Sequence, residues 1–185
     1  ANADMRVLLA DLESLADAEL ALGNDSRRLR LYEESLALYR EIGDKLRISD
    51  ALSQLARAAM HKGDYTRAQA RFEEALEMER AGDDKWRKAH LLRGLGDLAH
   101  LEEDFDRAEH FYTEALGYYR DVGDEVRSAA LMRSLGHTAQ HRGDLERAQS
   151  YFVESLNSYM KGRIYLGAVL SLSGIVGVLA ARGQA

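Results

Sequence analysis

The chain repeats itself every 40 residues, and few folds tolerate that. Gly23, Gly63 and Gly143 share one column, with Glu103 as the exception and Gly183 continuing the series. Arg27, Arg67, Arg107 and Arg147 share another, and Tyr32, Phe72, Tyr112 and Phe152 a third. Glu34, Glu74, Glu114 and Glu154 precede a small residue and then Leu36, Leu76, Leu116 and Leu156. Leu15, Leu55, Leu95, Leu135 and Ile175 complete the pattern. A fixed period of this size marks stacked supersecondary units, none of which can bury its apolar face alone.

Punctuation shows what each unit holds. Gly-Asp occurs at 43–44, 63–64, 82–83, 123–124 and 143–144. Glycine suits the left-handed residue that ends a helix, and aspartate caps the next one. Between these points apolar residues recur at helical spacing, as in Leu52, Leu55, Ala56 and Ala59 or Ala68, Phe72, Ala75 and Leu76. The absence of proline agrees with a chain that is nearly all helix. Helix A of successive units is expected at 5–22, 47–62, 85–102, 125–142 and 164–182. Helix B is expected at 25–41, 65–81, 105–121 and 145–161. The expected fold is all-α, a right-handed superhelical solenoid of antiparallel helix pairs. It has about nine helices in a single repeat domain over 1–185: repeats at about 7–46, 47–86, 87–126 and 127–166, then a terminal helix at 167–185.

Leu95-Gly96, Leu135-Gly136 and the variant Leu55-Ala56, with Ala108, Tyr112 and Ala115 on a helix B, resemble the tetratricopeptide repeat family. The resemblance covers essentially the whole chain. It departs in having a period longer than the usual ~34 residues and no proline after helix B. Phrases such as Tyr39-Arg-Glu-Ile-Gly-Asp44 and Tyr119-Arg-Asp-Val-Gly-Asp124 are similar to long repeats in bacterial signalling ATPases and multidomain transcription regulators. They are also similar to 40-residue repeats of eukaryotic polarity adaptors, though the bacterial likeness is closer. The resemblance implies a protein-interaction module, the sensor or regulatory segment of a larger cytoplasmic regulator.

Composition excludes several other classes. With no cysteine, disulfides and thiolate metal sites are ruled out. A net charge of -6 is the wrong sign for a nucleic-acid footprint. No phosphate-binding glycine loop, nucleophile elbow or zinc-protease motif occurs. The carboxylate pairs on helix B read as a solvated face, so no catalytic residue and no cofactor is assigned.

By resemblance, helix A lines the concave face of such arrays. The groove positions are then Asp50, Gln54, Arg57 and His61 in the second repeat, and His90, Arg93, Asp97 and His100 in the third. Arg133, His137, Gln140 and His141 follow in the fourth. Five of the six histidines land there, so the groove is more basic than the chain. One reading is a groove for an acidic or carboxylate-ended peptide, since arginine forks a carboxylate. The other is a solvated face that merely tolerates these residues. His137 and His141, four apart, can offer two ring nitrogens to one ion, but no third ligand is placed and no metal is assigned. Protonation of the clustered histidines near pH 6 would tune binding.

From Ile164 to Ala181 no residue is charged. That length meets the crude test for a membrane span, but the 40-residue register runs through it, so a packed helix A is expected and no membrane partner. Val169, Leu172 and Val176 are expected to pack on the preceding hairpin. Ile175, Val178 and Leu179 are expected to face outward, leaving open a fragment of a longer array or a homodimer through this helix. A small-metabolite sensor remains the alternative function. Glu103 is expected in a turn that favours glycine, at a cost on the order of 1 kcal/mol.

Overall fold

The computed structural model describes residues 2–21, 25–80 and 82–183. Among them nine α-helices follow in sequence with no strand: α1 (Asn2–Ala21), α2 (Asp25–Ile42), α3 (Lys45–His61), α4 (Tyr65–Glu79) and α5 (Lys85–Leu101). Then come α6 (Phe105–Asp121), α7 (Glu125–His141), α8 (Leu145–Lys161) and α9 (Tyr165–Gly183). This is an all-α helical repeat solenoid. The helices group into two compact units, one ending at Asp83 and the other beginning at Asp84. In the first, α1 packs on α2, α2 on α3 and α3 on α4. In the second, each helix from α5 to α9 packs on the next, and α7 also touches α9.

The helix starts follow the sequence pattern. Asp44, Asp64, Asp104, Asp124 and Asp144 each accept a bond from the backbone N–H three residues on, at 2.9–3.1 Å. Each such cap contributes about 1 kcal/mol. Just before them, Gly43, Gly63, Gly123 and Gly143 take φ of 71–80°. Glu103 adopts φ 60° in the same turn, as its column required. Arg163 does so too, at φ 56°. Its place 40 residues after Gly123 is the sequence signal for that conformation.

The Gly82-Asp83 turn differs from its siblings. Helix α4 stops at Glu79, short of the expected 81, and the cap of α5 is Asp84, which accepts from Arg87 N at 2.9 Å. Five residues separate α4 from α5, against two or three at the other described turns, and Gly82 does not take a left-handed φ. Gly23 and Ala81 lie outside the described residues.

The helix B aromatics make the core. A Cβ built on Gly96 of α5 would lie 2.5 Å from the Tyr112 ring of α6, and one on Gly136 of α7 would lie 2.8 Å from the Phe152 ring of α8. Phe152 also fills the space above Gly174 of α9, and Tyr159 that above Gly167, at 2.5 and 2.6 Å to the notional Cβ. Each ring is thus gripped by glycine, because only a missing side chain lets a helix come that close.

This close approach reverses the expected orientation of α9. Its buried face is Gly167, Ala168, Ser171, Gly174 and Val178. Val178 is fully buried and Ile175 is half-buried against the Phe152 cluster, so neither faces outward. Val169, Leu172 and Val176, expected inside, are exposed, and of the outward trio only Leu179 is. Ser155 Oγ donates to Ala129 O at 2.7 Å and lies 2.9 Å from Ser171 Oγ, which donates to Gly167 O at 3.0 Å. Small and hydroxyl side chains therefore seat α9, while its large apolar ones stay out. By length and composition alone α9 could cross a membrane.

Candidate partner-binding surface

All twelve helix A positions singled out in the sequence are exposed or half-buried, on α3, α5 and α7. In the first unit, Asp50 and Gln54 of α3 join Tyr32, Ser35 and Tyr39 of α2 and Arg47 around a cavity of about 320 Å3. Asp50 and Gln54 are two of the groove positions that the resemblance implies. Tyr32 stands in the repeating aromatic column and Tyr39 opens one of the phrases that carry the family resemblance; the sequence marks neither as a binding residue.

The second unit carries the denser set. Arg93, Asp97 and His100 stand on α5; Arg133, His137, Gln140 and His141 stand on α7. Tyr112 Oη donates to Asp97 Oδ1 at 2.8 Å across the α5–α6 hairpin. Burial, then the Asp97 charge, pushes the Tyr112 hydroxyl far above the ordinary tyrosine range, so it remains a donor. That bond ties one oxygen of the half-buried Asp97 carboxylate to the α6 ring.

His100 links α5 to α7. Its Nδ1 lies 3.3 Å from Thr138 Oγ1, and Thr138 Oγ1 donates to Ser134 O at 3.0 Å. Threonine has one hydroxyl proton, already spent, so His100 Nδ1–H is the donor and Nε2 keeps its lone pair. The His100 ring also meets His141 edge-on at 5.2 Å, and His141 stacks on Phe105 at 5.2 Å. The His137 ring packs edge-on to Phe152 at 4.9 Å. Burial lowers the pKa of His100, with the His141 charge adding to it. Burial and then Arg133 lower that of His137. His137 and His141, whose spacing alone could offer two nitrogens to one ion, are turned to separate aromatic neighbours. Among the described residues no group of three or more His, Asp or Glu is placed to hold a metal.

The arginines stand apart from the rest of the chain. Arg40, Arg120 and Arg142 pair with Glu74, Glu154 and Glu109, and Arg127 with Asp124 at 2.8 Å. Arg93 and Arg133 are half-buried, yet neither forms an ion pair among the described residues. Arg93 Nε finds no hydrogen-bond partner at all. The charge of Arg93 bears on Tyr119, and that of Arg133 on Tyr159 one repeat later. Burial raises both phenols, and each arginine opposes that rise. The surface therefore repeats one unit, a half-buried arginine whose charge acts on a tyrosine. His90 stacks on Trp86 at 5.5 Å, with the Arg127 guanidinium 4.9 Å over the indole.

The tetratricopeptide repeat model matches residues 47–121 and 87–161. The chain belongs to the tetratricopeptide repeat family. No curated protein matches the sequence. Among solved structures, BtubC (BKLC) from P. vanneervenii is similar at 20% identity and a TM-score of 0.72, over 98% of this chain and 83% of that one. The apo form of RapI is similar at 11% identity and a TM-score of 0.80, over 91% of this chain and 47% of RapI. A signal transduction ATPase with numerous domains and a tetratricopeptide repeat sensor, from Pyrococcus horikoshii, matches at 18% identity and a TM-score of 0.79. That match covers 90% of this chain and 26% of the ATPase. At these identities the likeness speaks for the fold.

Proposed function

We propose that this tetratricopeptide repeat protein is a non-enzymatic interaction module. In this reading the α5–α7 face binds an acidic peptide segment of a partner protein, with no direct role for nucleic acid or membrane. One observation carries it: Arg93 and Arg133 are half-buried without a counter-ion. Part of their desolvation is already spent, so a carboxylate that docks there gains charge-assisted bonds at a reduced further cost. Asp97, held by Tyr112, sets register by repelling an acid placed one position off. His100 Nε2 accepts from a backbone N–H of the bound segment. The tetratricopeptide sensor of the multidomain ATPase supports a place as the sensor or regulatory segment of a larger cytoplasmic bacterial signalling or transcription regulator.

The test is an array of acidic and neutral peptides read by fluorescence anisotropy. The native chain, Arg93→Gln with Arg133→Gln, and Asp97→Asn are compared, with circular dichroism as the fold control. Acidic peptides should bind the native chain, weaken at least tenfold in the arginine pair and lose register selectivity in Asp97→Asn. Equal binding of neutral peptides would overturn the reading. The cavity at Tyr32, Tyr39, Arg47 and Asp50 favours a second reading, a small-metabolite sensor, because its ~320 Å3 reaches the lower end of ligand pockets.

A further inference from the structure

We infer that the outward face of α9 is a docking site for an amphipathic α-helix lying antiparallel to it. That helix presents an aliphatic, not aromatic, side chain to Val176. The inference is independent of the arginine surface. It starts from the columns of the repeat. Ser49, Leu52, Ala56 and Ala59 of α3 are all buried. So are Ala89, Leu92, Gly96 and Ala99 of α5, and Ala129, Met132, Gly136 and Ala139 of α7. Gly96 and Gly136 show what covers these columns, because their missing Cβ atoms point into Tyr112 of α6 and Phe152 of α8. The cover is each time the next helix, antiparallel across a tight turn.

In α9 the same columns hold Val169, Leu172, Val176 and Leu179, at 47–64% exposure. Tyr165, Leu166 and Leu170 extend the patch. Among the described residues no helix lies on it. Tyr165, Val169, Leu172, Val176 and Leu179 are spaced by four, three, four and three, a seam that matches the stripe of a second helix rather than a flat surface. Its length is roughly 28 Å for the 19 residues of α9.

Side-chain size then selects among helices. The positions equivalent to Val176 are Ala56, Gly96 and Gly136. A ring at the Tyr112 or Phe152 position would meet the Val176 methyls where those helices have almost nothing. A leucine-sized side chain there removes the clash and keeps the apolar contact. The occupant is thus a helix with the small-residue stripe of α6 and α8, carrying leucine in place of their aromatic.

The probe is the α8 sequence itself, Leu145–Lys161, as a capped, fluorescein-labelled peptide in its parent form and with Phe152→Leu. Both are titrated into the 185-residue chain. The Phe152→Leu peptide should bind about tenfold more tightly than the parent. In Val176→Gly the order should reverse, and in Leu172→Glu, with unchanged circular dichroism, both should lose binding. Equal or absent binding of the two peptides overturns the inference. So does a concentration-dependent dimer that Leu172→Glu splits, which makes a second copy the occupant. Partition of the native chain, but not Leu172→Glu, onto phosphatidylcholine vesicles overturns it in favour of lipid.

Discussion

Glycine does two opposite jobs in the second unit, and one pair of substitutions separates them. Gly117 sits on the exposed face of α6 with nothing within 4 Å of a built Cβ. Gly117→Ala therefore adds helix propensity alone, worth about 1 kcal/mol. Gly96 lies in α5 against Tyr112, and its Cβ would meet two ring carbons at 2.5 and 2.6 Å. Carbon atoms pack at about 3.5–4.0 Å, so the ring would have to move by about 1 Å. It has little room, being 3% exposed with its hydroxyl tied to Asp97 at 2.8 Å. Overpacking of this kind costs about 1–3 kcal/mol, and a pinned ring belongs at the upper end. After the propensity gain, Gly96→Ala should destabilise by about 2 kcal/mol. Thermal melts followed by circular dichroism should show Gly117→Ala rising by about 2–4 °C and Gly96→Ala falling by about 4–8 °C. A Gly96→Ala melt at or above the native one would refute the close-packing argument. It would also weaken the account of why this family column is small in α3, α5 and α7.

Three further outcomes follow from the geometry. Glu103→Gly and Arg163→Gly, at φ 60° and 56°, should each raise the melting temperature by about 2–4 °C, while a control change at Glu102, in ordinary helical φ, should not. Folding lowers the pKa of His100 and His137, so the unfolded chain binds more protons just below the ordinary value of 6.5. Stability should therefore be full above about pH 6.5 and fall as the pH drops through that window, with histidine NMR titrations placing both midpoints below 6.5. Tyr112→Phe removes the donor to Asp97 and should cost about 1 kcal/mol in urea unfolding while loosening register selectivity for acidic peptides.

The periodicity made the helices legible because capping and turn chemistry act within four residues. Asp44 reaches Arg47 N, and Glu103 inherits the φ of its glycine siblings, whatever lies elsewhere in the chain. Where local chemistry changed, the reading slipped: Gly82-Asp83 copies the dipeptide, but the cap is Asp84 and the turn is longer. The candidate surface was legible only as positions. All twelve residues do lie at or near solvent, yet nothing along the chain announces that Tyr112 holds Asp97 or that Thr138 fixes the His100 tautomer. These pairs are 15 and 38 residues apart, and they meet because two helices pack at one particular depth.

Depth is also what misled the reading of α9. Counting apolar residues around a helix treats the largest as the most buried, which holds when helices pack at ordinary spacing. Here the spacing is set by the partner: Phe152 and Tyr159 project so far from α8 that only Gly174 and Gly167 can face them. α9 therefore keeps the register of α7 with its small residues inward, and Ser155 and Ser171 donate their hydroxyl protons to Ala129 O and Gly167 O in the gap. Val169, Leu172, Val176 and Leu179 are carried outward as a consequence. The same rule reads forward along the chain. Wherever a helix B carries a ring, both the preceding and the following helix A need a small residue at that level, as Gly136 and Gly174 provide around Phe152. Val176 breaks that rule on the outer side of α9, so whatever covers α9 cannot repeat the α8 pattern unchanged.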